Sequence, residues 1–211
     1  CRFGNGPLLL HGAQGKGKST FVRHLLPPEL KDYYRNGMIS PDNKDHLLQM
    51  SSCLLINLDE FDTLSPARMQ ELKSLITQDV MNERKVYDIQ NYTFIRRASF
   101  IASTNNPHCL PDIGENRRIL FNTLLEIDYH TPVNHQGIYA QAYALYQQGF
   151  QYWYENQEIT FLNNRNEAFR QKDPLEENLF FYFRAARPND IQAKWYPASQ
   201  LLSILSMNGR T

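Results

Sequence analysis

Apolar residues in this chain come first in short continuous runs and later at helical spacing, and that change divides it. Pro7-Leu8-Leu9-Leu10-His11 is an apolar run ended by Gly12, the form of a short buried strand. A glycine-rich stretch follows. A helix begins near Lys18, carries Phe21, Val22, Leu25 and Leu26 at helical spacing, and is stopped by Pro27-Pro28. Residues 29–50 are polar and show no clear period. Cys53-Leu54-Leu55-Ile56-Asn57-Leu58 is nearly continuous in apolar residues, as a parallel strand covered on both faces must be. Ser65-Pro66 reads as an N-cap and first helical residue. Met69, Leu72, Leu75, Ile76 and Val80 then form one apolar helix face.

Residues 84–104 predict a hairpin leading into a core strand. Val86 to Ile89 is one arm, Gln90-Asn91 the turn, and Tyr92 to Ile95 the return. Ser99 to Ser103 is the core strand, and Ile119 to Ile127 supplies the last strand of the sheet. From about Thr131 the pattern becomes aromatic-rich and helical, over residues 138–150, 159–170 and 174–185. Pro197 to Leu202 opens a further helix. Strands alternating with helices predict an α/β core over residues 1–130. Residues 131–211 form a helical C-terminal extension.

Composition narrows the class. Hydrophobic residues make up 42% and charged residues 21%, enough to build a core and too apolar for a disordered chain. Lys plus Arg total 22 and Asp plus Glu total 22, so any nucleic-acid binding must use a local basic patch and not a global field. Cys1, Cys53 and Cys109 form no CxxC pair, which argues against zinc and redox motifs. Cys53 is expected to be a buried thiol, and so sparse a count fits a reducing cytoplasm. No stretch is long enough to span a membrane and no signal peptide opens the chain. Cys1 lies almost on the first strand, so the chain is expected to be a piece of a longer protein.

The chemistry concentrates at three strand ends. Gly12-Ala13-Gln14-Gly15-Lys16-Gly17-Lys18-Ser19 fits G-x-x-x-x-G-K-[ST], between an apolar strand and an amphipathic helix. A triphosphate needs backbone N–H groups turned inward around it. Gly12, Gly15 and Gly17 allow that curvature, and the start of the helix adds positive potential. Lys18 reaches the β- and γ-phosphates, and Ser19 holds Mg²⁺. Gln14, Lys16 and Thr20 belong to the same ATP cradle, with the Lys16 side chain expected to face solvent. The strand at 53–58 ends in Asp59-Glu60. Asp59 is the second expected Mg²⁺ ligand, and Glu60 the group that orients and polarises the attacking water. Asp62 is expected at the surface or at a helix start. Phe100-Ile101-Ala102-Ser103-Thr104-Asn105 ends in an asparagine suited to touch the γ-phosphate or position water. Arg117-Arg118 next to Ile119 reads as a solvated pair, a carboxylate clamp or an arginine finger.

Taken together, GAQGKGKS, LLINLDE, FIASTNNP and GENRRI resemble the AAA+ ATPases, and within them the superfamily 3 helicases. GAQGKGKSTFVRHLLP, INLDEFD, ASFIASTN and ENRRIL are most similar to the virulence-associated protein E family, helicase-like ATPases of phages and mobile elements. The resemblance covers roughly residues 6–130. It implies a P-loop three-layer sandwich around a central parallel sheet, with Lys18 and Ser19 in the Walker A motif and Asp59 and Glu60 in the second motif. It further implies that Asn105 is the sensor and Arg118 the trans-acting finger, with Arg117 next in line. Ring assembly, often hexameric, follows from it too, as does a hairpin that grips DNA. In that hairpin region this sequence offers Arg84, Lys85, Arg96 and Arg97. The end of the chain is similar to a helical extension leading into a winged-helix-like domain.

Two functions therefore compete: an oligomeric ATPase that translocates on DNA, and a nucleotide-controlled assembly or DNA-binding switch without strand separation. A P-loop kinase is disfavoured, because Asp59, Glu60 and Asn105 suit water activation.

Overall fold

The computed structural model describes residues 6–40, 43–84, 91–110, 116, 119–155, 157–171, 174–187 and 189–208. Its centre is a five-stranded sheet with β1 at Leu8–His11, β2 at Tyr34–Asn36, β3 at Leu55–Leu58, β6 at Ser99–Thr104 and β7 at Leu120–Thr123. The order is β2-β3-β6-β1-β7 and every pairing is parallel. The α/β class with a central parallel sheet is therefore as the apolar runs require. The strand bearing the glycine loop, β1, lies between β6 and β7, with Leu9 opposite Ala102 on one side and Phe121 on the other.

The core strands alternate faces residue by residue. Leu9, Ile56, Leu58, Phe100, Ala102 and Phe121 join Met50, Met69, Leu72, Leu75 and Ile76 in one buried cluster. Leu10, Leu55 and Ile101 point the other way and meet Val22. The period of two thus covers one face with α1 (Lys18–His24) and the other with α2 (Lys44–Ser52) and α3 (Pro66–Thr77). A fully buried aliphatic or aromatic side chain contributes about 1.5–3 kcal/mol, so the two clusters dominate the stability of this unit. Ser65 caps α3 by accepting from the Arg68 amide at 3.4 Å, and Pro66 is its first residue, as the Ser-Pro pair indicates.

Several boundaries differ from the sequence pattern. The segment over 29–50 holds a 3-10 turn at Pro28–Tyr33, then β2, then α2. Val80 does not continue the face of α3. The helix ends at Thr77, the Gln78 amide bonds Leu75 O at 3.1 Å, and Val80 opens β4 (Val80–Arg84). β4 pairs antiparallel with β5 (Asn91–Ile95) as a separate two-stranded ribbon. The hairpin exists, but its first arm is Val80–Arg84; the expected arm at Val86 to Ile89 and the Gln90 turn position lie outside the described residues. The last sheet strand is shorter than expected and ends at Thr123.

Beyond β7 come α4 (His135–Gln147) and α5 (Gln157–Asn166), then α6 (Pro174–Tyr182) and α7 (Ala198–Asn208). Asn166 is fully buried and donates to Asn116 O and Ile119 O, both at 2.8 Å, while Phe169 stacks on Phe121 at 3.7 Å between centroids. These contacts tie the end of α5 and the turn after it to the β7 side of the sheet. The chain forms two compact units, Cys1–Arg170 and Gln171–Thr211. Within the second unit, the Phe183 and Tyr196 rings meet edge to face at 5.8 Å. Among the described residues no helix is long and apolar enough to cross a membrane.

Candidate nucleotide site

Parallel strands all present their C-terminal ends at one edge, so the loops after β1, β3 and β6 must converge there. After β1 the chain turns through Gly12 to Gly17. Gly15 and Gly17 both have φ of 77°, a backbone state that a Cβ strains. Gly12 N–H donates to Thr104 O at 3.3 Å, which joins the loop to the end of β6.

Lys18 opens α1 and is buried. Its ammonium donates to Gly12 O at 2.6 Å, Ala13 O at 2.9 Å and Asn105 Oδ1 at 2.8 Å. Burial pushes the lysine's pKa below its ordinary value, opposed by the carboxylates of Asp59 and Asp62. The positive charge is thus held at the mouth of the loop by oxygen acceptors alone. Oxygen atoms of a bound anion could take the place of these acceptors. Gln14, Lys16 and Thr20 are exposed, and the solvent-facing placement expected of Lys16 is what the structure has.

Ser19 sits one residue on and donates from Oγ to Asp59 Oδ2 at 2.9 Å. Asp59 Oδ1 accepts from Ser103 Oγ, and from the Glu60 amide at 3.2 Å. Burial pushes the Asp59 carboxyl upward, but the bonds from Ser103, Ser19, the Glu60 amide and Asn36 outweigh it, and the net pKa lies below the ordinary value. Asp59 therefore remains a carboxylate at neutral pH. A hydroxyl and a carboxylate oxygen side by side are hard donors and suit Mg²⁺, which completes its shell with water and phosphate oxygens. Among the described residues no group of three or more His, Cys, Asp or Glu could hold a metal ion.

Glu60 is exposed and has φ of 53°, in the left-handed region that few non-glycine residues adopt. Its carbonyl accepts from Thr63 N at 3.0 Å and Thr63 Oγ1 at 2.8 Å, which holds the turn. That turn leaves the carboxylate free at the sheet edge, next to Asp59. Asp62 is more than a surface acid: it accepts from Thr104 Oγ1 at 2.8 Å and links the turn after β3 to the end of β6. Beside Ser19 opens a cleft of about 570 Å³ lined by Ser19, Thr20, Arg23, Lys31, Asp32, Tyr34 and Asn36.

Lys18, Ser19, Asp59, Glu60 and Asn105 are thus brought to one edge of the sheet. Arg117 and Arg118 lie outside the described residues. Their neighbour Asn116 is buried, bonded through its carbonyl to Asn166 and near Lys73 Nζ at 3.5 Å. Lys85 also lies outside the described residues, and so does the side chain of Arg84. Arg97 is exposed. Arg96 is not on the surface as its place in a basic hairpin suggests. It is 5% exposed, donates to Gln78 O at 3.0 Å and Ala98 O at 2.8 Å, and lies over the Phe100 ring at 5.5 Å. Its charge anchors the ribbon to the core instead of meeting a ligand.

Three contributors escaped the sequence pattern. Ser103 and Asn57 were visible only as polar interruptions of apolar strands. Asn57 is fully buried and donates to Asn36 Oδ1 at 2.7 Å across the β2–β3 pair, placing Asn36 beside Asp59. Tyr129 carried no signal at all. Its ring lies so close to Gly17 that a Cβ there would collide with ring carbons.

The fold and this edge define a class of α/β proteins in which a glycine loop, an acid-ended strand and an asparagine-ended strand meet on one parallel sheet. The chain belongs to the virulence-associated protein E-like domain family, whose match runs over residues 2–171. Two solved apo structures of the NrS-1 C-terminal region are each 17% identical to it, with TM-scores of 0.40 and 0.43. A third apo structure, which like the first is of the A form, is 21% identical with a TM-score of 0.37. Each match covers 78% of this chain, which spans only about a third of those solved chains (34–35%). Comparison with curated proteins finds no significant match.

Proposed function

We propose that this chain is an ATP-hydrolysing, P-loop motor domain of a phage or mobile-element replication protein, working on DNA as an oligomeric ring. The observation that carries the reading is the Ser19–Asp59 hydrogen bond of 2.9 Å beside the Lys18–Asn105 bond of 2.8 Å. A hydroxyl, a carboxylate, an ammonium and an amide from three separate strand ends share one small volume. Such a set has few uses other than a metal-bound triphosphate.

In this reading the amides of Gly12 to Thr20 surround the phosphates and Lys18 exchanges its carbonyl partners for phosphate oxygens. Ser19 and Asp59 hold Mg²⁺. When bound, the ion would supply charge neutralisation. Glu60 orients a water for in-line attack and accepts its proton, while Asn105 reports on the terminal phosphate. Arg118, with Arg117 beside it, serves a neighbouring subunit's site.

The alternative is a nucleotide-dependent assembly or DNA-binding switch. The burial of Arg96 favours it to a degree, because it removes one of the four basic groups available for gripping DNA.

The test is the ATPase rate of the purified chain across protein concentrations, with and without single-stranded DNA. The motor reading expects DNA stimulation above a concentration threshold. Lys18→Ala should abolish nucleotide binding or turnover. Glu60→Gln should bind ATP but lose at least about a hundredfold in rate, the range of a general-base contribution. A Glu60→Gln protein with normal turnover overturns the role given to Glu60, and a turnover indifferent to DNA favours the switch.

A further inference from the structure

The segment after β7 is fastened along the length of α1. Leu124 N–H donates to His11 O at 2.8 Å, at the start of the glycine loop. Tyr129 packs its ring on Gly17, the residue before the helix. His135 Nε2 lies 2.7 Å from His24 O, and Tyr139 OH donates to Leu25 O at 3.2 Å, at the helix's far end. A tight turn fixes the ring within this strap. The Asp128 carboxylate accepts from Thr131 Oγ1 at 2.6 Å, from Thr131 N at 3.0 Å and from His130 N at 3.1 Å. Those bonds also hold its pKa below the ordinary value, so the turn is intact at neutral pH. Tyr129 is half-buried and exposed His130 lies tilted against it, with 4.2 Å between ring centroids.

A glycine loop with a lysine and a serine recognises phosphates and nothing else. Residues 12–19 contain no apolar side chain larger than Ala13. Whatever recognises the rest of a nucleotide must come from a neighbouring segment. The ends of β3 and β6 meet the loop through polar groups, and the strap meets it through an aromatic ring. It brings a pinned aromatic ring to Gly17, where the loop passes into α1. A ring held in advance loses no freedom on binding, and every nucleobase has a π-face to offer it.

We propose that Tyr129, flanked by His130, is the stacking platform for the base of the bound nucleoside triphosphate. The platform rests on the nucleotide reading above and adds to it a specificity-determining residue. Purines, with the larger π-face, gain most from it.

The measurement is calorimetric binding of the whole chain to Mg-ATP and, separately, to inorganic tripolyphosphate with Mg²⁺, which has no base. Wild-type protein should bind ATP more tightly than tripolyphosphate. Tyr129→Leu should lower ATP affinity about tenfold, within the range for one lost base–aromatic stack, and leave tripolyphosphate unchanged. Tyr129→Phe should keep ATP affinity. Ethenoadenosine triphosphate should be quenched on wild-type protein, a signature that needs no variant to fold. Equal loss for both ligands in Tyr129→Leu would mean that the ring only shapes the loop, and would overturn the platform. No loss for either, or unquenched ethenoadenosine on the wild type, overturns it as well. Wild-type protein that binds neither ligand sinks the nucleotide reading and the platform with it. Tripolyphosphate bound as tightly as ATP removes the platform alone.

Discussion

Asp59 is a carboxylate that burial alone would push toward its neutral form. Ser103, Ser19, the Glu60 amide and Asn36 reverse that balance by donating to it. Because its folded pKa is depressed, Asp59 stabilises the protein at pH above the ordinary carboxylate value near 4, and that contribution is lost as pH falls through the lower folded value. Ser103→Ala removes one donor, raises the folded pKa and shrinks the contribution. The variant should be less stable by about 1.5–3 kcal/mol at neutral pH, the range for a hydrogen bond to a charged group. Its acid-unfolding midpoint should move upward, read by tryptophan fluorescence over a pH series. An unchanged midpoint would mean that Ser103 does not set the state of Asp59. At this scale the sequence was informative where the residue type is scarce at its position, as with the lysine, serine, paired acids and strand-end asparagine. Ser103 and Asn36 are common polar residues, and only their distance to Asp59 gives them a role.

The elements that could be read from sequence are those with a single period and a chemical stop. β1 ends in a glycine, α1 is halted by two prolines, and α3 begins at Ser65-Pro66. The ribbon of β4 and β5 misled for a physical reason. Val80 falls four residues after Ile76, so it extends the helical pattern of α3 although the backbone has already turned at Gln78. Directly after the same ribbon stand two adjacent arginines with opposite fates. Arg96→Ala leaves the carbonyls of Gln78 and Ala98 without their donor, and should cost roughly 2–4 kcal/mol in a denaturant melt. Arg97→Ala should leave stability within about 0.5 kcal/mol. If Arg97 meets a DNA phosphate, its variant should also lower the salt slope of single-stranded DNA binding by about one, measured by fluorescence anisotropy. Equal stability losses in the two variants would contradict the difference in burial.

For the molecule as a whole, the family match ends at residue 171 and the first compact unit at Arg170. A chain cut after Gln171 should therefore melt cooperatively and bind Mg-ATP as the 211-residue chain does, read by circular dichroism and calorimetry. Failure to fold would show that α6 and α7 are needed by the first unit. Assembly is tested by mixing. If Arg118 acts across subunits, Arg118→Ala combined with Lys18→Ala should regain ATPase activity beyond the sum of the two alone. No recovery at any ratio counts against a shared site.

By itself the sequence determined the α/β class, the parallel sheet, the glycine loop and the two polar strand ends, because each is a local pattern of size, period and charge. It also determined the family, which is a string of such patterns in order. Only the tertiary structure decided strand order, the burial of Arg96, the bonding of Asp59 to Ser19 and Ser103, and the seat of Tyr129 on Gly17. The bonds of Asp59 and the seat of Tyr129 join residues separated by dozens of positions, up to the 112 between Gly17 and Tyr129, and all of these features exist only once the sheet is closed and its faces are covered.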